Sequence, residues 1–356
     1  MKRFISVLAI VLLLFVGAAI AVPYFFQDKI VNRFITEINK NLNAKVAFED
    51  ISLTMFKSFP NLALSLDDIS VKGIDYFKND TLLKADNVAL VIDLMSVIKG
   101  EDISIKSFTA NKAVINTIVS ETGLANWDIV KDDGTESNSA ESAFDLENYK
   151  ITNSDLYYTD REGNIKLKLE SIDHTGKGKF TASVFDLVTE TEAEAFNLSY
   201  NNVKYIHNAK TNLDAIIGVD LNKSLYTFKD NKLTLNDLDL IFDGSIGLPE
   251  DGIQYDLKWS APSTEFKSFA SVIPGVYQND YKKLKTKGTL ALSGFVKGLQ
   301  TDKAYPAFDL RLVVKDASMR YPGFDGDIKD INADCKVMNS GSGPDGTLID
   351  LDKIHA

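Results

Sequence analysis

From Lys45 onward, apolar side chains recur at every second position. Val46 and Phe48, Ile51 and Leu53, then Leu62, Leu64 and Leu66, then Ile69 and Val71 alternate with polar neighbours. That period places one set of side chains on one face of a strand and buries only that face. The same texture returns late in the chain, where Phe308, Leu310, Leu312 and Val314 point one way and Asp309, Arg311 and Lys315 the other. The row slips by one residue near Lys315-Asp316, between Ile105 and Phe108, and between Leu235 and Leu238 in LTLNDLDLIF. A bulge or a turn absorbs such a slip, since otherwise every later side chain would change face. Helical spacing is rare. Phe26, Ile30, Phe34, Ile38 and Leu42 recur every four residues with charged residues between them, an amphipathic helix within residues 23–44 that either caps the next domain or lies along a membrane surface. Two short helices are expected around Asp93 to Ile98 and Glu265 to Ile273, the second stopped by Pro274-Gly275. The chain therefore reads as mainly β.

The N-terminus follows a different rule. Met1-Lys2-Arg3 precedes a run from Phe4 to Val22 whose only strongly polar side chain is Ser6. As a helix this run spans roughly 28 Å, close to a hydrocarbon core of about 30 Å. A retained membrane anchor over residues 1–22 is the reading that its length favours. Ala19-Ile20-Ala21 and Pro23 fit the competing reading, a cleaved signal peptide, whose apolar stretch is usually only about 7 to 15 residues. In either case Lys2 and Arg3 stay on the cytoplasmic side, so the rest of the chain is exported.

Residues 131–143, KDDGTESNSAESA, have no large apolar side chain to bury. They read as a mobile linker, dispensable for folding, between a β region at 45–130 and a second at 144–356. The ligand spacing of a calcium loop is missing around Asp132 and Asp133.

Composition narrows the function classes. The chain has 356 residues, with 39 Lys plus Arg against 50 Asp plus Glu, a net charge of -11. This balance lacks the basic footprint that phosphate backbones require, so no nucleic-acid partner is expected. One cysteine, Cys335, and three histidines leave little for disulfides, metal sites or acid-base chemistry. GKGKF at 176–180 and GSGPDG at 341–346 match no phosphate-binding loop, and neither a G-x-S-x-G elbow nor an H-E-x-x-H pair occurs. Asp237 and Asp239 read as the wet face of a strand. No catalytic residue, metal site or cofactor is expected, and the protein reads as a non-enzyme.

The segment NAKVAFEDISLTMFKSFPNLALSLDDISVKG, following an anchor and a helix, resembles the opening of AsmA-like bacterial envelope proteins. So does the next segment, in which Gly123, Asn126 and Trp127 form a G-x-x-N-W-D turn. KGTLALSGFVKGLQTDKAYPAFDLRLVVKDASMRYPGF is similar to the later strand units of that family, relatives of TamB and of chorein-like bridge-type lipid transfer proteins. The resemblance implies an elongated, curved antiparallel sheet with an apolar concave groove. It also implies single-pass attachment to the bacterial inner membrane through residues 4–22, with the bulk in the periplasm. The implied function is binding of phospholipid acyl chains in support of lipid transport and outer-membrane biogenesis. The alternative is an assembly factor that docks other envelope proteins on open strand edges. Groove candidates are Leu62, Leu64 and Leu66, Leu238, Leu240 and Phe242, and Phe308, Leu310, Leu312 and Val314. The same alternation would also arise in a closed β-sandwich. Family members generally run longer, so the chain reads as an N-terminal portion. Intact-mass measurement of the mature membrane-bound protein is expected to show residues 1–22 retained, and a mature start at Val22 would overturn the anchor.

Overall fold

A computed structural model describes residues 31–36, 38, 40–55, 58, 60–99, 104–131, 146–270, 272, 285–301, 303–320 and 326–355. The anchor expected at residues 4–22, together with Phe26 and Ile30, lies outside them. Among the described residues, no helix is long and apolar enough to cross a membrane. The chain is mainly β and divides into two compact units. The first ends at Glu162 and includes Lys179–Thr181; the second comprises Gly163–Gly178 and the chain from Ala182 on. The acidic segment 131–143 is thus internal to the first unit.

The first unit contains β1 (Lys45–Ala47), β2 (Asp50–Thr54), β3 (Leu62–Lys72), β4 (Thr81–Ile92), β5 (Ile105–Val119) and β6 (Asn148–Asp160). β1 and β2 both pair with β3, on successive stretches of it, and the order then runs β3-β4-β5-β6. Register places Leu64, Leu90 and Phe108 in one cross-strand row and Leu66, Val88 and Ala110 in the next. Helical residues Phe34 and Ile38 lie over this apolar face. Phe34 and Ile38, in the described part of the amphipathic stretch, therefore pack on the sheet, where burial removes their apolar area from water.

One pairing departs from the antiparallel sheet expected from the sequence. β5 and β6 are parallel, from Ser107 beside Asn148 to Val119 beside Asp160. Parallel neighbours need a crossover, because the chain must return the full length of the strand before pairing again. The return begins at the G-x-x-N-W-D turn. Ala125 bridges Val119, and the Asn126 amide accepts the Ile118 N–H at 2.8 Å and donates to the Asn116 carbonyl at 2.8 Å. Asn126 thereby occupies the edge of β5 that β4 leaves open beyond Ile115. Trp127 is largely exposed, its ring 6.2 Å from Tyr158.

The second unit is an antiparallel meander of ten strands: β7 (Ile165–Lys177), β8 (Val184–Tyr200), β9 (Val203–Asp220), β10 (Leu225–Leu235), β11 (Leu238–Gly247), β12 (Ile253–Glu265), β13 (Lys285–Gln300), β14 (Ala307–Arg320), β15 (Ile328–Asn339) and β16 (Leu348–His355). Asn201 and Asn202 close the β8–β9 hairpin with both φ positive, at 48° and 63°. Short Asx side chains tolerate that left-handed conformation, which matches the twist of the flanking strands. Asn236 and Asp237 close β10–β11, with a positive φ, 51°, at Asn236 alone. The slip between Leu235 and Leu238 is therefore a two-residue turn between two strands. The slips at Lys315-Asp316 and after Ile105 are bulges, as the broken register there shows. The two short helices form at Leu94–Lys99 and Phe266–Ala270.

Ladder interruptions recur with a common construction. Asn208, Asp230 and Asp316 in the second unit sit at register breaks with φ near +50°, and Asp68, Lys112, Asn153 and Ser171 have the same φ where the ladder is interrupted without a shift of register. Beside them on the apolar face lie small, fully buried residues such as Ala85, Ala113, Ala193, Ala209 and Ala317. A bulge bends its strand and sharpens the local twist. On the inside of such a bend neighbouring side chains converge, which leaves room only for a methyl group.

The parallel register gives residues 131–143 a length of chain to span, which their reading as a dispensable linker leaves out. Twelve residue steps separate Ser107 from Val119 along β5, about 40 Å at about 3.3 Å per step. With 131–143 removed, the ten steps left between Ala125 and Asn148 reach at most about 35 Å. The deletion should prevent β6 from pairing and yield an unfolded or aggregated first unit. Replacing the segment by Gly and Ser at equal length should change stability by no more than about 0.5 kcal/mol. Thermal unfolding of both variants checks this, and a cooperative wild-type-like transition in the deletion would refute it.

Candidate ligand-binding face

The ladder registers of the second unit assign each strand position to one of two faces. On one face, a straight row runs from Phe242 in β11 through Trp259 and Gly294 to Leu310 in β14. Gly294 is required in that row, because a Cβ there would meet Trp259 ring atoms at 2.6 Å. Parallel rows join Leu233 to Leu240, and Leu292 to Leu312 and Cys335. At its paired positions from β7 to β16, this face carries no Asp, Glu, Lys or Arg. His174 stands on it with Nδ1 2.8 Å from the Thr191 hydroxyl. Burial holds this imidazole below its usual range and so favours the neutral ring.

The charges lie on the opposite face. There Lys232 pairs with Asp239, Lys258 with Asp243, Lys297 with Asp256, Arg311 with Asp334 and Lys336 with Asp309, at 2.6 to 3.1 Å across neighbouring strands. Arg311 grips Asp334 through both Nε and Nη2. Hydrogen bonds from Thr234 and Lys232 hold the Asp239 carboxyl below the usual carboxylate range. Asp239 is thus a structural partner on the wet side. Such exposed pairs stabilise little, about 0 to 1 kcal/mol each, but they hold one face in water and leave the other apolar.

The sequence candidates separate into two environments. Leu62, Leu64 and Leu66 are 0, 0 and 2 % exposed. Leu62 packs with Met55, Leu53 and Leu94, while Leu64 and Leu66 belong to the cluster that includes Phe34 and Ile38. They form a closed core and offer no surface to a ligand, because the helix and neighbouring strands already cover them. Leu238 is buried as well, against Leu235 across the tight turn. Leu240, Phe242, Phe308 and Leu312 are half-buried, and Leu310 is 36 % exposed. Val314 is buried with Leu290 and Ala317 beneath Phe266 and Phe269. Among the described residues, the helix Phe266–Ala270 packs on this part of the face.

Trp259, Leu257, Tyr255 and Val337 lie on the same face and were not singled out from the sequence. The alternation in IQYDLKWSA carries the signal for the first three. A separate cleft of about 220 Å³ lies in the first unit between residues 73–77 and 124–129. There the Tyr76 hydroxyl donates to Glu121 at 2.9 Å. Among the described residues, no three His, Cys, Asp or Glu are grouped to hold a metal ion.

Compared with models of protein families, with curated proteins and with solved structures, the chain matches none.

A closed core and an open face respond differently to truncation. Leu64→Ala should cost about 2 to 5 kcal/mol, the range for a filled site that collapses incompletely. Leu310→Ala should cost under about 1 kcal/mol, since much of that side chain already meets water. Denaturant unfolding of the two variants makes the comparison, and equal losses would show that Leu310 is covered in solution.

Proposed function

We propose that the protein is a non-enzymatic lipid-binding component of the bacterial envelope, of the AsmA-like type. In this reading residues 4–22 anchor it in the inner membrane. The β units lie in the periplasm and hold phospholipid acyl chains in support of lipid transport and outer-membrane biogenesis. The observation that carries the reading is the face of the second unit, which is uncharged across ten strands and half-exposed at Leu240, Phe242, Phe308 and Leu312. Water solvates such a face poorly, at about 25 cal/mol for each Å² of apolar surface left wet. An alkyl chain lying on it removes that area from water without any polar match. Strands buried on one side only must cover that side with something, and acyl chains meet the requirement without specific geometry.

A second reading has its own support in β16. Among the described strands it pairs only with β15, and Leu348, Ile349 and Leu351 on it are exposed. An added strand from another envelope protein would satisfy such an edge.

Native mass spectrometry of detergent-free protein separates the two. Co-purifying phospholipid is expected for the wild type. Leu310 and Val337 are direct cross-strand neighbours on the open face. Converting both to Asn should leave a folded protein but reduce bound lipid several-fold. Loss of folding in that variant, with no lipid on the wild type, would favour the assembly reading.

A further inference from the structure

Within the uncharged face, one polar side chain is fully buried and only half satisfied. Asn231 is 1 % exposed. It follows Asp230, whose φ is 51°, at a bulge where β10 breaks register with both β9 and β11. Its Oδ1 accepts the Ile216 N–H at 2.8 Å, which replaces the carbonyl that the bulge has moved away. That bond also fixes which end of the amide faces the strand. Nδ2 is left without a partner.

Other buried side chains of this kind use both ends. Asn126 accepts from Ile118 and donates to Asn116. Asn339 accepts from Gly341 and Ser342 and donates to Gly343 and Thr347. Beside the left-handed Asn153 of the first unit, where the β5–β6 ladder is interrupted, Ser154 accepts the Ala113 N–H and donates to the Thr152 carbonyl. Ser154 shows that a side chain with no spare donor suffices to bridge such an interruption. An orphaned amide N–H in apolar surroundings is unfavourable, and native structures keep few of them.

We infer that Asn231 is a polar anchor of the apolar face, its Nδ2 donating to an ester carbonyl oxygen of a bound acyl lipid. The inference rests on the lipid-binding reading and deepens it. A single neutral donor suits a carbonyl oxygen; a phosphate or carboxylate would require compensating positive charge, and at the paired strand positions of this unit the lysines and arginines lie on the other face. Phe242 is the direct cross-strand neighbour of Asn231, and Phe228 flanks the bulge on the same face, their ring centroids 5.7 Å apart. In this proposal a rotamer change of a neighbouring ring opens the amide to the lipid while every backbone pair stays in place. The rings then pack the alkyl chain beside the held ester.

The test compares a diacyl phosphatidylethanolamine with its dialkyl-ether analogue, which has the same chain lengths but lacks ester carbonyls. Each is loaded onto the full chain from vesicles and quantified by native mass spectrometry. The wild type should retain the ester lipid about five- to tenfold better, the worth of one hydrogen bond to a buried donor. Asn231→Leu should retain both lipids equally. Equal retention by the wild type would overturn the anchor and leave lipid binding intact. Failure to retain either lipid would remove the lipid reading itself, and the anchor with it. Because the ester-to-ether ratio is measured first on the wild type, the inference remains testable if Asn231→Leu does not fold.

Discussion

A sheet one layer thick has two faces, and this chain equips only one of them for water. In the second unit the ion pairs between paired strand positions stand on the side of Asp239, Asp256 and Asp334, while the paired positions on the side of Phe242, Trp259 and Leu310 carry no charge. The pairs contribute little stability one by one. Their larger effect is on register, because sliding any strand by one residue would put Lys297 or Arg311 on the apolar face and leave it without its carboxylate partner. The cross-strand pairing and the uncharged face are therefore one constraint seen from two sides.

The first unit resolves the same constraint internally. Phe34 and Ile38 close over Leu64 and Leu66, and Met55 and Leu94 close over Leu62, so the apolar side becomes an ordinary core. Over the second unit, the covering helix among the described residues is Phe266–Ala270, which reaches Leu290, Val314 and Ala317. This difference in cover, and no difference in strand pattern, separates candidate residues that a ligand could meet from those it could not.

Ladder interruptions shape both faces. Left-handed residues recur at them, mostly beside small buried neighbours, and in each unit a side chain at one of them accepts a backbone N–H that the ladder leaves unpaired. Ser154 and Asn231 perform that role in the two units. They differ in what remains afterwards: nothing for Ser154, a free N–H for Asn231.

The mainly β character, the face assignments along each strand and the three parity slips were legible in the sequence, because a period of two is a local property that burial of one face imposes on every strand. The sequence left the nature of each slip open: a bulge and a two-residue turn produce the same one-residue change of parity, and only the pairing of Leu235 with Leu238 identifies the turn. The parallel β5–β6 pair was invisible for a related reason, since strand direction leaves no mark on alternation and the crossover that reveals it looks like any acidic linker. Exposure was likewise not encoded locally. Leu64 and Leu310 stand in nearly identical alternating contexts, yet one is sealed and the other half-open, because Phe34 packs over the first sheet there, whereas over the second the described helix Phe266–Ala270 reaches Leu290, Val314 and Ala317. Alternation reports that a face avoids water; what covers that face is decided by elements distant in the chain.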